Sequence, residues 1–91
     1  MKYRSRTEIV SMMLDAANGG ATKTKMMYSA FLSYTQLKEY LSLLIENNLI
    51  EYHEGNRIFR TTEKGLIYLK KYNEIGELLP TIKVKDNEEL I

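Results

Sequence analysis

With 91 residues, 44% of them hydrophobic and 27% charged, the chain has material for about one small domain, and no apolar run approaches the roughly 20 residues that span a bilayer. It contains no cysteine, which excludes disulfides, thiolate metal sites and a cysteine nucleophile. The formal charge of +1 is unevenly spread, with eleven Lys and Arg against seven Asp and Glu in residues 1–72 and two against five in residues 73–91, so that a moderately basic body carries an acidic end. Such a body is compatible with a nucleic-acid partner.

The stretch Met1-Lys2-Tyr3-Arg4-Ser5-Arg6 is basic but is followed by neither an uninterrupted apolar core nor a cleavage site, so it does not read as a secretion signal, and a cytoplasmic location is expected. Ser5, with Glu8 three residues on, is a helix start; Ile9, Val10, Met12, Met13, Leu14, Ala16 and Ala17 form its apolar stripe, and Asn18-Gly19-Gly20 closes it, giving a first helix over about 5–18. Thr22 can cap a second helix of about two turns through Ala30, burying Met26, Met27 and Tyr28 and leaving Lys23 and Lys25 in water. Ser33 with Gln36 is a capping-box pattern for a third helix over 34–47, with Leu37, Tyr40, Leu41, Leu44 and Ile45 at helical spacing and Asn47-Asn48 at its end. The period then changes. "LIEYH" and "RIFRT" are short, β-branched and aromatic, and they flank Glu54-Gly55-Asn56, where Gly55 and Asn56 suit positive φ; this is a β-hairpin. Thr62 caps a fourth helix over about 63–79, carrying Leu66, Ile67, Leu69, Tyr72, Ile75, Leu78 and Leu79, and Pro80 ends it. Residues 80–91 have too little apolar content for a core and read as a tail.

Three helices, a hairpin and a further helix make a mainly α fold with a β-hairpin, the element order of a winged helix-turn-helix: a three-helix core plus a wing plus a C-terminal helix. The tight joint at Ala30 to Ser33 is then the turn of the helix-turn-helix. In addition, "LSYTQLKEYLSLLIENNLIEY" followed by "TTEKGLIYL" resembles the archaeal winged-helix DNA-binding proteins, both small transcriptional regulators and the dimeric chromatin-associated proteins with a coiled-coil tail. The resemblance covers about residues 5–75 and implies a double-stranded DNA partner and a third helix that reads the major groove.

Because Leu37, Leu41 and Leu44 face inward by spacing, Tyr34, Thr35, Gln36, Lys38 and Glu39 form the exposed N-terminal face of the third helix. Gln36 can pair with adenine or serve only as a cap. Thr35 can touch a thymine methyl or a phosphate, Lys38 a phosphate or guanine, and Tyr34 a phosphate through its hydroxyl. Lys23 and Lys25 at the start of the second helix, and Arg57 and Arg60 on the wing, are candidate phosphate or minor-groove contacts, with ordinary surface charge as the plain alternative. His53 is the only histidine, and a metal or acid-base site would need further ligands that the sequence does not bring near it. No catalytic motif is recognisable, and no cofactor, metal or small-molecule ligand is expected.

The fourth helix carries more apolar residues than one small core can cover. Leu66, Leu69, Tyr72, Ile75 and Leu79 are therefore expected to hold a homodimer. Residues 1–79 then form a winged-helix DNA-binding domain whose helix 63–79 dimerises it, and 80–91 follow as the tail. The expected function is that of a dimeric transcriptional regulator; a winged-helix protein-interaction module and a nonspecific chromatin-associated protein are the alternatives.

Overall fold

The computed structural model describes residues 4–78. Leu79 and the segment 80–91 lie outside the described residues. The elements are α1 (Arg6–Ala16), α2 (Lys23–Ser29), α3 (Tyr34–Glu46), β1 (Ile50–His53), β2 (Ile58–Thr61) and α4 (Glu63–Leu78). The order and, within two residues, the bounds are those expected, because each helix start is set by a local hydroxyl. Ser5 Oγ accepts from the Glu8 N–H and Thr22 Oγ1 from the Lys25 N–H. Ser33 Oγ accepts from the Gln36 N–H while Gln36 Oε1 accepts from the Ser33 N–H, completing the reciprocal box at α3. Thr62 Oγ1 accepts from the Gly65 N–H at the start of α4.

The helix ends are closed by left-handed residues. At α3, Asn48 (φ 61°) lets its own N–H reach the Ile45 carbonyl and the Leu49 N–H reach the Leu44 carbonyl, a Schellman closure. At α2 the same two bonds run from Phe31 to Tyr28 and from Leu32 to Met27, but the left-handed residue is Phe31, at φ 54°. An L side chain in that conformation costs about 1–2 kcal/mol. The four-residue wing turn also departs from expectation: positive φ falls on Arg57 (56°), and neither Gly55 nor Asn56 takes it. A loop of this length is built around a type I turn and needs its left-handed residue last, whatever that residue is.

The core lies where α1, α2 and α3 meet over the base of the hairpin. Met13, Leu14, Met26, Leu37, Leu44 and Ile50 are fully buried, each stabilising the fold by about 1.5–3 kcal/mol relative to exposure. Two side chains expected inside are outside: Tyr28 is 70% exposed and Ile45 42%. A two-turn α2 can turn only Met26, and Met27 in part, onto α1, and α3 spends its inward stripe on Leu37, Leu41 and Leu44.

The hairpin pairs Ile50 with Thr61 through to His53 with Ile58, and Ala21, in the α1–α2 connection, adds an isolated bridge to Phe59 through bonds of 2.8 and 2.7 Å. Thr61 then stitches the sheet to α1. Its buried hydroxyl donates to the Leu14 carbonyl (2.6 Å) and its N–H to that of Ala17, which satisfies acceptors that the last turn of α1 leaves open. Thr62 and Lys64 do the same for α3, donating to the carbonyls of Asn48 and Asn47.

Gly65 sets how α4 seats. A Cβ built on it would collide with the Leu49 carbonyl oxygen and come within 2.6 Å of Thr61 Cγ2, so the helix approaches the β1 side closely at this point. That contact turns Tyr68 and Leu69 inward against the core and leaves Tyr72 half-buried. Leu66, Ile67, Ile75 and Leu78 are exposed. The set expected to form one dimer seam is therefore divided: Leu69 packs within the chain, Tyr72 is partly covered, Leu66 and Ile75 face solvent, and Leu79 lies outside the described residues. Burial pushes the Tyr68 phenol above its ordinary value, with the neighbouring Tyr72 adding to the shift.

Candidate nucleic-acid interface

The exposed N-terminal face of α3 exists because its capping box stands clear of the core. Tyr34, Thr35, Gln36, Lys38 and Glu39 are all exposed, while Leu37, between them, is buried. The structure brings three of the candidates together. The Lys23 ammonium of α2 lies 5.7 Å, and that of Lys38 5.4 Å, from the centroid of the Tyr34 ring, which is itself 55% exposed. Each contact is favourable by about 0.5–1 kcal/mol at an exposed site, but it draws two like charges to one ring. An anion at that point would be attracted by both.

Lys25 is exposed two residues further along the same short helix, and Thr35 and Glu39 project from the first turns of α3. Gln36 is committed. Its amide oxygen already accepts from the Ser33 N–H at 3.0 Å, so bidentate pairing with adenine requires it to leave the cap. Arg57, on the wing turn, and Arg60, on β2 opposite Glu51, are exposed and do not join the lysine cluster. Among the described residues no carboxylate lies within 4.0 Å of Lys23, Lys25, Lys38, Arg57 or Arg60; the one contact of a carboxylate with a basic side chain is the hydrogen bond between His53 Nε2 and Glu51 Oε2, at 2.9 Å. Like charges with no internal partner leave their field to act outward.

Two features beside this cluster have no signal in residue spacing. Phe31 is 75% exposed on the α2–α3 turn, and Arg4, before α1, reaches across to it: Nη1 donates to the Ala30 carbonyl and the Met12 sulfur, and Nη2 to the Phe31 carbonyl at 2.9 Å. The guanidinium carbon lies 6.0 Å from the Phe31 ring centroid. A cue was present in "SAFLS", where a helix end lacks the usual Gly or Asn, but only the backbone shows that Phe31 itself takes the left-handed position. Among the described residues no group of three or more His, Cys, Asp or Glu side chains converges to hold a metal, and no helix is long and apolar enough to cross a membrane.

Comparison with known proteins meets this geometry. A crystal structure of Sso10a-2, a DNA-binding protein from Sulfolobus solfataricus, aligns with a TM-score of 0.70 at 25% sequence identity, covering 90% of this chain and 92% of that one. An uncharacterised protein of Methanocaldococcus jannaschii is 31% identical over 77 residues, 84% of this chain; the chain spans 36% of that relative's length. Both are archaeal, in line with the resemblance drawn from the third helix and wing. A family model described as winged helix-turn-helix matches residues 3–79. With three helices, the strained turn, the hairpin and the fourth helix all inside that match, the chain belongs to the winged helix-turn-helix family.

Proposed function

We propose that this chain binds duplex DNA as a dimeric transcriptional regulator, with α3 entering the major groove and the wing beside it. The observation that carries the reading is the Lys23–Tyr34–Lys38 cluster at the exposed start of α3, unopposed by any carboxylate within 4.0 Å among the described residues. It is supported by the family and by the DNA-binding character of the Sulfolobus neighbour. In this reading Lys23, Lys25, Lys38 and the Tyr34 hydroxyl hold phosphates, Arg57 and Arg60 reach a flanking phosphate or the minor groove, and Thr35 and Gln36 contact base edges. Glu39, on the same face, repels phosphate and accepts from cytosine, which favours sequence reading over indiscriminate coating. The body is also too weakly basic for a protein that relies on charge alone.

Residues 1–79 are the DNA-binding domain in this reading, with α4 as the dimerisation helix. Ile67, Ile75 and Leu78 stand at i, i+8 and i+11 on one exposed side of α4, a spacing that aligns them along a helix. Burying them between two copies would recover part of the hydrophobic stabilisation that the monomer leaves unused. A two-fold axis there would present two α3 helices to two half-sites. Titration of the protein with a mixed-sequence duplex at several salt concentrations tests DNA binding, and sedimentation over the micromolar range tests the dimer. Absence of any DNA complex at low salt, or a monomer throughout, would overturn the corresponding half of the proposal.

A further inference from the structure

Phe31 is unexpected by every local rule. It holds the left-handed position that closes α2, where glycine is preferred because an L side chain is crowded by its own backbone. The ring gains little burial in return, being 75% exposed. Neither packing nor backbone preference accounts for it. The turn is nevertheless held in this form by a dedicated side chain, since Arg4 donates to the carbonyls on both residues of the bend, Ala30 and Phe31, and to the Met12 sulfur, and lies over the ring. Backbone strain that surrounding groups enforce is found where the strained residue has work to do outside the fold.

The surroundings indicate what meets the ring. Tyr28 on one side of the turn and Tyr34 on the other are also exposed; Arg4 lies over the Phe31 ring, and Lys23 and Lys38 both lie over that of Tyr34. Exposed rings with positive charge held beside them suit a partner that offers flat or apolar faces and regularly spaced anions, as a nucleic-acid strand does. The bonds to Ala30, Phe31 and Met12 use three of the five N–H donors of the guanidinium, which leaves two for an anion. Phe31 stands two residues before the Ser33 cap of α3, so a strand bordering the groove that α3 enters would pass this turn.

We propose that the α2–α3 turn is a second contact with duplex DNA, in which the Phe31 ring lies against deoxyribose and base-edge carbon of the strand flanking α3 and Arg4 takes the adjoining phosphate. This rests on the reading that the chain binds duplex DNA. It assigns to Phe31 a trade of stability for binding, and that trade has a signature no structural role shares.

The experiment compares the full chain with Phe31→Gly and Phe31→Asn, both residues that accept the left-handed conformation. Unfolding midpoint and affinity for a mixed-sequence duplex are measured on the same preparations. Phe31→Gly should raise the midpoint by roughly 2–6 °C and weaken DNA binding about tenfold. Phe31→Asn, which is less flexible than glycine, should bind as weakly, showing that loss of the ring and not loosening of the turn is responsible. A lowered midpoint in Phe31→Gly makes the ring a structural element and overturns the proposal. Unchanged DNA affinity in both variants, with the unmodified chain binding normally, removes the turn from the interface while DNA binding stands. Unchanged DNA affinity with weakened self-association assigns the ring to a protein contact and likewise overturns it. If the unmodified chain forms no complex with DNA, both readings fall together.

Discussion

The dependence of DNA affinity on salt can be worked out from the five cations proposed to line α3 and the wing, Lys23, Lys25, Lys38, Arg57 and Arg60, none of which has a carboxylate within 4.0 Å among the described residues. If each neutralises one phosphate, the slope of log affinity against log salt approaches about −4.5 per protomer, and raising salt from about 50 to 200 mM weakens binding about 500-fold. Lys38→Ala removes one term, giving a slope near −3.6 and a loss of about 150-fold over the same range. Lys64→Ala is the matched control, because Lys64 Nζ is occupied with the Asn47 carbonyl at 2.9 Å on the α4 side of the molecule. It should leave the slope unchanged. Fluorescence anisotropy of a labelled mixed-sequence duplex, titrated at four or more salt concentrations, reads the slope directly. A slope shallower than about −1, or an equal drop in slope for Lys64→Ala and Lys38→Ala, would refute the assignment of the lysine cluster to phosphate.

Three other outcomes follow from the geometry. Gln36→Ala breaks the reciprocal cap at α3, so it should lower stability by about 0.5–1 kcal/mol in thermal unfolding while relaxing base preference in a competition between duplexes; unchanged preference would make Gln36 a cap alone. Ile75→Ser with Leu78→Ser, at positions 59% and 78% exposed, should sediment as a folded monomer with an unfolding midpoint that no longer depends on protein concentration and reduced affinity for DNA, whereas a persistent dimer would show that the seam lies elsewhere. The raised Tyr68 pKa means that the folded chain favours the neutral phenol; the stability this contributes is fully present below the ordinary value of 10.0 and is lost as pH rises through the raised one. Tyr68→Phe should therefore flatten the alkaline fall in the unfolding midpoint, and an identical fall in both proteins would remove Tyr68 as its source.

What could be read in the sequence divides along a physical line. Helix starts at Ser5, Thr22, Ser33 and Thr62 are decided by one hydroxyl and the next turn of backbone, and all four were legible. So was the inward stripe of α3, which is strictly periodic. The rotation of α4 was not, because it depends on Gly65 meeting the Leu49 carbonyl from another part of the chain; spacing alone gave Leu69 and Tyr72 to a partner and passed over Tyr68. Candidate contacts on α3 and the wing were visible as types, but their grouping was not. That Lys23 and Lys38 share the Tyr34 ring, while Arg57 and Arg60 stand apart, arises from how α2 and α3 pack. Tyr28 and Phe31 were hidden for a further reason: an aromatic beside a helix end looks like core until the backbone conformation shows it turned out.

The bridge between Ala21 and Phe59 fixes the strands of the wing and leaves its turn unheld. The hairpin is joined to the α1–α2 connection at Phe59, one pair in from its turn, and Thr61, at its base, is bonded into α1; no such anchor reaches Glu54 to Arg57 among the described residues. A beam clamped at one end deflects most at the other. Arg60, near the clamp, has its position dictated by the core, whereas Arg57 rides on the free end and can follow grooves of different width. Amide exchange should grade along the hairpin accordingly, slow at Phe59 and Thr61 and fast at the turn. The same grading makes residues 54–57 the place where the chain tolerates added length, since an insertion there lengthens the beam without loading its support.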